Sequence, residues 1–296
     1  MIQKLIALAA LAALAACGGG GCNCNVPAFN APAGVGVPAT GVAGATTPPT
    51  PVVTPIVVVA PVPVVIVPVV PPPAASAAVP LTCAQNAVSG NGVPLGTDAT
   101  FAVLAASTVT NTGLTVVTGN LGVSPGTAVT GFGPGTGTVA GGAIHAGDPT
   151  AAQAQLDLTT AYNNAAGRVN PAAIPADIGG TVIPPGTYKA PVSLAITGNV
   201  TLDGQNNPNA VFIFQMASTL TTSVNSTVTL INMANACNVF WQVGSSASLN
   251  TASVFNGTIL ALASVSLGTG ATLNGRALAR NGAVTLLSNT VTETGP

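Results

Sequence analysis

The sequence has very few charged residues. Only 4% of its 296 residues are Asp, Glu, Lys or Arg, against roughly 25% in an average soluble protein. Five cations and six anions leave a net charge of −1, and five cations cannot line a basic groove for nucleic acid. The Glu, Lys and Leu heptads of a coiled coil are also missing. We therefore expect neither a nucleic-acid partner nor a coiled coil.

Histidine is equally scarce, which removes most catalytic and metal-binding arrangements. His145 is the only histidine, so a catalytic triad or a His-rich metal site has no partners near it. The six acidic residues are scattered, which argues against a polysaccharide lyase or a hydrolase with paired carboxylates. Arg276 and Arg280 are expected to bond to corner carbonyls or to Glu293 instead of a substrate. The sequence predicts no enzyme activity, no cofactor and no metal site.

The N-terminus has the pattern of an export signal. Lys4 precedes an apolar run, Leu5 to Ala16, that is too short for a bilayer, which takes about 20 residues. Leu14 to Cys17 resembles the lipobox of bacterial lipoproteins, which implies cleavage before Cys17 and lipidation of that residue. Gly18 then favours the outer membrane. The alternative is an ordinary cleaved signal with an incidental cysteine.

A proline-rich tether follows the signal. Pro27 to Ala78 is rich in Pro, Val, Ala and Thr, and its prolines recur too often for a helix. A non-helical segment cannot face lipid, so we interpret it as a polyproline-II stalk. Cys22 and Cys24 are too close for a metal hairpin, and pairing with each other, pairing between chains and lipidation all stay open. The expected divisions are signal 1–16, tether 17–80 and folded domain 81–296.

The folded domain repeats every 18 residues in its C-terminal part. Its small and β-branched residues favour strands and tight turns. Three slots of the repeat are occupied by the pairs Leu249 and Leu267, Phe255 and Leu273, and Asn256 and Asn274. A repeat of this length with three short strands is typical of a triangular β-helix, whose coils stack about 4.7–4.9 Å apart.

Alternation along each strand predicts which side chains fill the core. Val265 and Leu267 are expected to point inward, while Ser264 and Ser266 face outward. Trp241 falls in the slot of Ile259 and Ala277, which predicts that it packs in the core.

One segment instead predicts a helix. Asp148 suits the N-cap, Pro149 the first helical position and Gly167 the C-terminal cap. Leu158, Tyr162 and Ala165 or Ala166 form an apolar stripe. We expect this helix to lie along one face of the solenoid and cover it.

This layout resembles the ice-binding protein family known as DUF3494, or type 1. The resemblance covers Leu95 to Thr294 and is carried by segments 95–97, 101–105, 118–126, 185–188, 202–204, 210–215, 238–247 and 274–280. It implies an all-β-dominated fold, a discontinuous right-handed triangular β-solenoid with one long α-helix packed alongside. It also implies binding to ice.

The family's loose surface pattern, Thr-(Ala/Gly)-x-(Thr/Asn), locates candidate ice-binding residues. Residues 269–272 match it fully, and 251–254 match only in the first half because Val254 departs. Residues 225–227 fill the equivalent slot imperfectly, and 108–111 lack the small second residue. The resemblance implies an ice-binding set of Thr108, Thr110, Thr227, Thr251, Thr269, Gly270 and Thr272.

Strand parity complicates this assignment. Two residues three positions apart cannot both face outward on a regular strand, so Thr269 points inward unless a corner intervenes. A competing face carries Ser246, Ser248, Ser264, Ser266 and Thr285.

Two further expectations concern the cysteines and the partner. In an exported protein Cys83 and Cys237 are candidates for a disulfide that pins the N-terminal strand to the solenoid.

The expected binding partner of the protein is an ice surface or another extracellular surface, with membrane contact only through the lipid anchor. The alternative function is a surface adhesin of the same fold without ice activity.

Overall fold

The structure is a computed structural model that describes residues 92–294. The predicted signal, the tether, Cys17 and Cys83 lie outside the described residues. Within this range the chain forms mainly short parallel strands and one α-helix, as the sequence predicts.

The strands follow one another in short segments along the chain. Their bounds are β1 Phe101–Ala105, β2 Thr108–Thr112, β3 Val116–Thr118, β4 Asn120–Val123, β5 Ala128–Thr130, β6 Thr138–Ala140, β7 Ile144–Ala146, β8 Ala172–Ala173, β9 Val182–Ile183, β10 Gly186–Lys189, β11 Leu194–Ile196, β12 Asn199–Asp203, β13 Phe212–Met216, β14 Leu220–Thr222, β15 Thr227–Ile231, β16 Val239–Val243, β17 Ala247–Leu249, β18 Val254–Ala261, β19 Val265–Leu267, β20 Thr272–Ala279, β21 Val284–Leu287 and β22 Thr290–Thr292. The helix α1 is Pro149–Ala166, and Gly96–Thr100 and Ala236–Asn238 are 3-10 turns.

Strand pairing arranges these segments as three faces of a solenoid. The helix face has the order β8-β10-β13-β16-β18-β20-β1-β4-β7. The short-strand face has the order β11-β14-β17-β19-β21-β2-β5. The threonine face has the order β9-β12-β15-β18-β20-β22-β3-β6. All these pairs are parallel, so every coil repeats the path of its neighbour.

Strands β18 and β20 run through two faces because each bends at a glycine. Gly257 and Gly275 have φ of +112° and +148°, a positive-φ conformation that residues with a side chain rarely adopt. A Cβ atom on Gly275 would also clash with the carbonyl oxygen of Gly257 in the next coil. The Asn-Gly pairs of the repeat therefore form the corner between the threonine face and the helix face.

The solenoid is discontinuous, because its spatial order differs from chain order. Strand β1 pairs with β20 through Val103 and Ala277, and β3 pairs with β22 through Val117 and Val291. The first coil of the described chain therefore stacks on the last one. Strands β4 to β7 then extend the stack beyond it. The discontinuous architecture implied by the family resemblance is confirmed.

The 18-residue repeat is confirmed residue by residue. Leu249 pairs with Leu267, Phe255 with Leu273 and Asn256 with Asn274. Trp241 pairs with Ile259 and is fully buried. It stacks on Phe214 with 4.1 Å between ring centroids, and its Nε1 donates to the carbonyl of Asn256 at 3.0 Å. The interior is therefore a packed core whose coils are in register.

Helix α1 begins as predicted and covers the helix face. The Asp148 carboxylate accepts a hydrogen bond from the Ala151 amide at 2.9 Å, and Pro149 is the first helical residue. The buried stripe contains Ala165 and not Ala166, which is exposed. The stripe packs on outward side chains of the face, namely Phe101, Leu104, Ile213, Phe240, Leu260 and Leu278.

Polar contacts fasten the helix at its C-terminal part and at its middle. Near its C-terminus, Gln215 Nε2 donates to the carbonyls of Ala165 and Ala166 at 2.8 and 3.2 Å, which satisfies groups that a helix end leaves without partners. Gln242 Nε2 donates to the Tyr162 hydroxyl at 2.8 Å. At the middle of the helix, Asp157 accepts a hydrogen bond from the Thr97 amide at 2.8 Å.

Most of the charged side chains also lie on this side of the molecule. Arg276 donates to Glu293 Oε1 at 2.7 Å and to the carbonyl of Ala99 at 2.6 Å, as the sequence predicts. Asp98 is fully buried, and neither carboxylate oxygen has a hydrogen-bond partner among the described residues. Burial and the negative charge of Asp157 raise the pKa of Asp98 to about 9, and the positive charge of Arg276 opposes this shift. This carboxyl is therefore neutral at pH 7.

Candidate binding surface

The threonine face presents two rows of outward side chains in register from coil to coil. The first row is Asn199, Thr227, Val254, Thr272, Thr290, Val116 and Thr138. The second row is Val182, Thr201, Thr229, Asn256, Asn274, Thr292, Thr118 and Ala140. Parallel-strand geometry spaces the positions about 4.8 Å apart across coils and about 6.6 Å apart along each strand. The face is thus a regular grid of short side chains.

Threonines in the centre of this grid keep their hydroxyls available to water. The hydroxyls of Thr272, Thr290 and Thr292 make no hydrogen bond within residues 92–294. The amides beside them are held instead, since Asn274 Nδ2 donates to Asn256 Oδ1 at 3.2 Å and Asn256 Nδ2 donates to the carbonyl of Val228 at 2.6 Å. Threonine itself has few χ1 rotamers, so the whole centre of the face is stiff.

A corner resolves the parity problem of the Thr269–Thr272 motif. Gly270 has a φ of +69° and lies outside any strand, which turns the chain so that Ala271 is buried while Thr269 is exposed. In the previous coil Ala252 does the same at a φ of +55°, and Thr251 is exposed. Both ends of the motif therefore face outward. This corner column runs through Thr251, Thr269, Leu287 and Thr112.

Apolar groups interrupt the hydroxyls of the threonine face. Val254 and Val116 occupy first-row positions and are 37% and 41% exposed. Both are β-branched, with the same outline as threonine, so they keep the surface level while replacing a hydroxyl by a methyl group.

Charge is absent from both rows. Asp203 lies at the far end of β12, beyond the second row, and Asp177 pairs with Ala195 at the outer edge of the short-strand face. The Thr197 side chain and the Gly179 amide hold the pKa of Asp177 below its ordinary value. Of the residues that the structure describes, the other charged ones lie on the helix, on the helix face or at its corners.

The short-strand face is the competing surface, and some of its hydroxyls form hydrogen bonds within the protein. Its middle row is Ala195, Thr221, Ser248, Ser266, Thr285, Thr110 and Thr130. Ser248 and Ser266 are hydrogen-bonded to each other at 3.0 Å, and the Ser264 hydroxyl accepts from the Ala283 amide at 3.2 Å. The serine hydroxyls of this face therefore already make hydrogen bonds within the protein, before any ligand binds.

The structure divides the ice-binding set expected from sequence between two faces. Thr227, Thr251, Thr269, Gly270 and Thr272 lie on the threonine face or its corner column. Thr108 and Thr110 instead lie on β2 of the short-strand face, so they do not share a plane with Thr272.

Sequence reasoning also missed much of the threonine face. The 18-residue repeat was the signal that leads to these residues, because Thr290 follows Thr272, and Asn274 follows Asn256, by one period. The missed polar members are Thr118, Thr138, Asn199, Thr201, Thr229, Asn256, Asn274, Thr290 and Thr292.

Cys237 is disulfide-bonded, and its partner lies outside the described residues. Pairing with Cys83 therefore stays a prediction.

Within residues 92–294 no group of three His, Cys, Asp or Glu side chains is placed to hold a metal ion. No helix in the same range is long and apolar enough to cross a membrane.

Comparison with known proteins identifies the family of this fold. The family model described as ice-binding-like matches residues 103–292, which is more than half of the chain. The chain belongs to the ice-binding-like family. An ice-binding protein of Nostoc sp. (strain HG1) is 49% identical to this family member over 199 residues, covering 67% of this chain and 72% of the relative. An ice-binding protein of Flavobacterium frigoris (strain PS1) is 36% identical over 215 residues, covering 68% and 76%.

Solved structures agree with the fold of this ice-binding-like domain. The crystal structure of an ice binding protein from an Antarctic biological consortium has 50% sequence identity and a TM-score of 0.66, covering 69% of this chain and 92% of the other. That of an ice-binding protein from the Antarctic ascomycete Antarctomyces psychrotrophicus has 40% identity and a TM-score of 0.65, covering 68% and 98%. The β-solenoid with a flanking helix is therefore the fold of this family.

Proposed function

We propose that this protein binds ice through its threonine face. The observation that carries the proposal is the pair of uncharged rows, in which threonines of neighbouring coils, such as Thr272 and Thr290, stand in register. Relatives that are 49% and 36% identical are named ice-binding proteins, which supports the same ligand here.

The mechanism follows from the grid. Hydroxyls without protein partners bind first-shell water, and the methyl groups between them prevent that water from bonding inward. Because the Asn256–Asn274 pair and the χ1 preference of threonine fix the side chains, the bound waters are held in a repeating arrangement. Such a layer merges with the surface of an ice crystal and stops its growth. No step requires a catalytic group or a cofactor, and we propose that the protein is not an enzyme.

The same proposal includes the location of the protein. Met1 to Ala16 would direct export, Cys17 would carry the lipid anchor, and the segment up to residue 80 would hold the ice-binding domain away from an outer membrane or cell surface. A Cys83–Cys237 disulfide is compatible with that compartment. The partner is then extracellular ice, met either by an anchored cell or by a released protein.

Inhibition of ice recrystallisation by the purified protein tests the function. We expect small ice grains to persist at micromolar protein and to coarsen with a heat-denatured sample of the same preparation. Equal coarsening in both samples would contradict ice binding and would favour the surface-adhesin alternative.

A further inference from the structure

The short-strand face has two halves with different chemistry. In the first half, the hydroxyls other than that of Thr221 bond mainly to each other and to the backbone: Thr219 Oγ1 donates to Ser193 Oγ at 3.0 Å, and the Ser264 amide donates to Ser246 Oγ at 3.3 Å. Ser248 and Ser266 are paired in the same way. These side chains have part of their hydrogen-bonding capacity filled before any ligand arrives.

The second half consists of threonines whose hydroxyls are not used internally. We define the hydroxyl patch as Thr108, Thr110, Thr112, Thr130 and Thr285 on strands β2, β5 and β21. None of these hydroxyls makes a hydrogen bond to another described residue, and Thr110, Thr112 and Thr130 are exposed. Thr110 pairs with Thr285 on one side and with Thr130 on the other, so the patch has the regular register of the threonine face.

The patch is also free of charge. The outward positions of β21, β2 and β5 are Thr285 and Leu287, then Thr108, Thr110 and Thr112, then Ala128 and Thr130. A protein or polymer partner that binds through ion pairs finds no counter-charge among these side chains. A layer of ordered water needs no counter-charge, because free hydroxyls and small methyl groups are sufficient to hold that layer.

The patch is continuous with the threonine face. Thr112 ends β2 and is also a member of the corner column, where the Ser288 amide donates to its carbonyl at 2.9 Å. Across this corner the next strands are β22 and β3, which contribute Thr290, Thr292 and Thr118 to the threonine face. Two hydroxyl-bearing planes therefore meet along one edge at this end of the solenoid.

We propose that the hydroxyl patch is a second ice-contact surface, which meets a different crystal plane from the threonine face. This inference rests on the proposed ice binding and extends it. Two planes that meet at an edge present their grids in two orientations, so the protein is expected to adsorb to more than one set of ice planes. It also gives Thr108 and Thr110 a role on the face where the structure places them.

Adsorption of the fluorescently labelled full-length protein to a hemisphere of single-crystal ice tests the inference. The variants are Thr110→Tyr on the patch and Thr272→Tyr on the threonine face. Ser248→Tyr, on the same sheet as the patch but in its internally bonded half, is the matched control. Unchanged thermal unfolding of each variant establishes that the fold is intact.

We expect the wild-type protein and Ser248→Tyr to label two sets of planes. Thr110→Tyr is expected to lose one set and Thr272→Tyr the other. A labelling pattern unchanged by Thr110→Tyr would overturn the second surface and leave the proposed function standing. Absence of labelling by the wild-type protein would instead contradict the proposed function itself.

Discussion

Thr272 and Thr290 are register partners on neighbouring coils, and both project from the threonine face one repeat apart. Their positions are set by Leu273 and Val291, which pair directly behind them and are fully buried in the core. Because one residue of the strand faces in and the next faces out, packing of the interior fixes the grid on the exterior. The arrangement of the threonine face is therefore fixed by the packed core beneath it.

Replacing Val254 by Thr should strengthen ice binding. Val254 lies between Thr227 and Thr272 in the first row, and threonine has the same shape but adds the missing hydroxyl. We expect the free energy of unfolding to change by no more than about 0.5 kcal/mol, because the site is on the surface. The concentration needed to inhibit ice recrystallisation should fall.

The exposed Val192 gives the control for that substitution, since it lies outside both rows. Val192→Thr should leave the inhibition unchanged. If Val254→Thr weakens the inhibition while Val192→Thr does not, then methyl groups and not hydroxyls make the contact at this position.

Replacing Leu158 by Ala should destabilise the domain without changing the threonine face. Leu158 is fully buried between helix α1 and the helix face, so truncation is expected to cost about 2–5 kcal/mol in the free energy of unfolding. Leu156, two residues earlier on the same helix, is 64% exposed, and Leu156→Ala should have little effect. Thermal unfolding measures both, and ice activity at low temperature should match the wild type in both variants.

The buried Asp98 should make stability fall as pH rises. Its pKa is about 9 in the folded protein and near the ordinary value of 3.8 after unfolding, so between those values the unfolded chain loses a proton that the folded one keeps. The stabilisation is fully present below about pH 4 and is lost as pH rises through about 9. Chemical unfolding across that range should show this decline in the wild type, and Asp98→Asn should flatten it. An equally steep decline in the variant would mean that another group is responsible.

Disulfide mapping by mass spectrometry should join Cys237 to Cys83. A disulfide typically contributes about 2–4 kcal/mol to the free energy of unfolding, so the double variant Cys83→Ser, Cys237→Ser should unfold at a lower temperature. The double variant Cys22→Ser, Cys24→Ser serves as the control and should unfold like the wild type. A peptide that links Cys237 to any other cysteine would contradict the assignment.

The sequence was most informative where the repeat is strict. Asn256 and Asn274, or Leu249 and Leu267, lie in adjacent coils because one period of 18 residues returns the chain to the same slot. The helix N-cap at Asp148 and the buried helix stripe through Leu158 are equally well predicted from the sequence, because they depend only on residues near them in the chain.

Features that depend on coil order and on corners were not readable from the sequence. The sequence pattern groups Thr110 with Thr272, but strand order places β2 on another face. Thr269 faces outward only because Gly270 adopts a positive φ, which local alternation does not reveal. The burial of Asp98 arises from contacts distant in sequence, since Asp157 and Arg276 reach it from the helix and from the last coils.

Ice recrystallisation with Thr272→Tyr, compared with Thr160→Tyr, tests the central claim most directly. Both are threonine-to-tyrosine changes, but Thr272 lies in the first row of the threonine face and Thr160 is exposed on helix α1, away from it. We predict clearly reduced inhibition for Thr272→Tyr at an unchanged unfolding temperature, with any remaining inhibition due to the hydroxyl patch, and wild-type inhibition for Thr160→Tyr. Full inhibition by a folded Thr272→Tyr protein would contradict the assignment of the threonine face as the ice-binding surface.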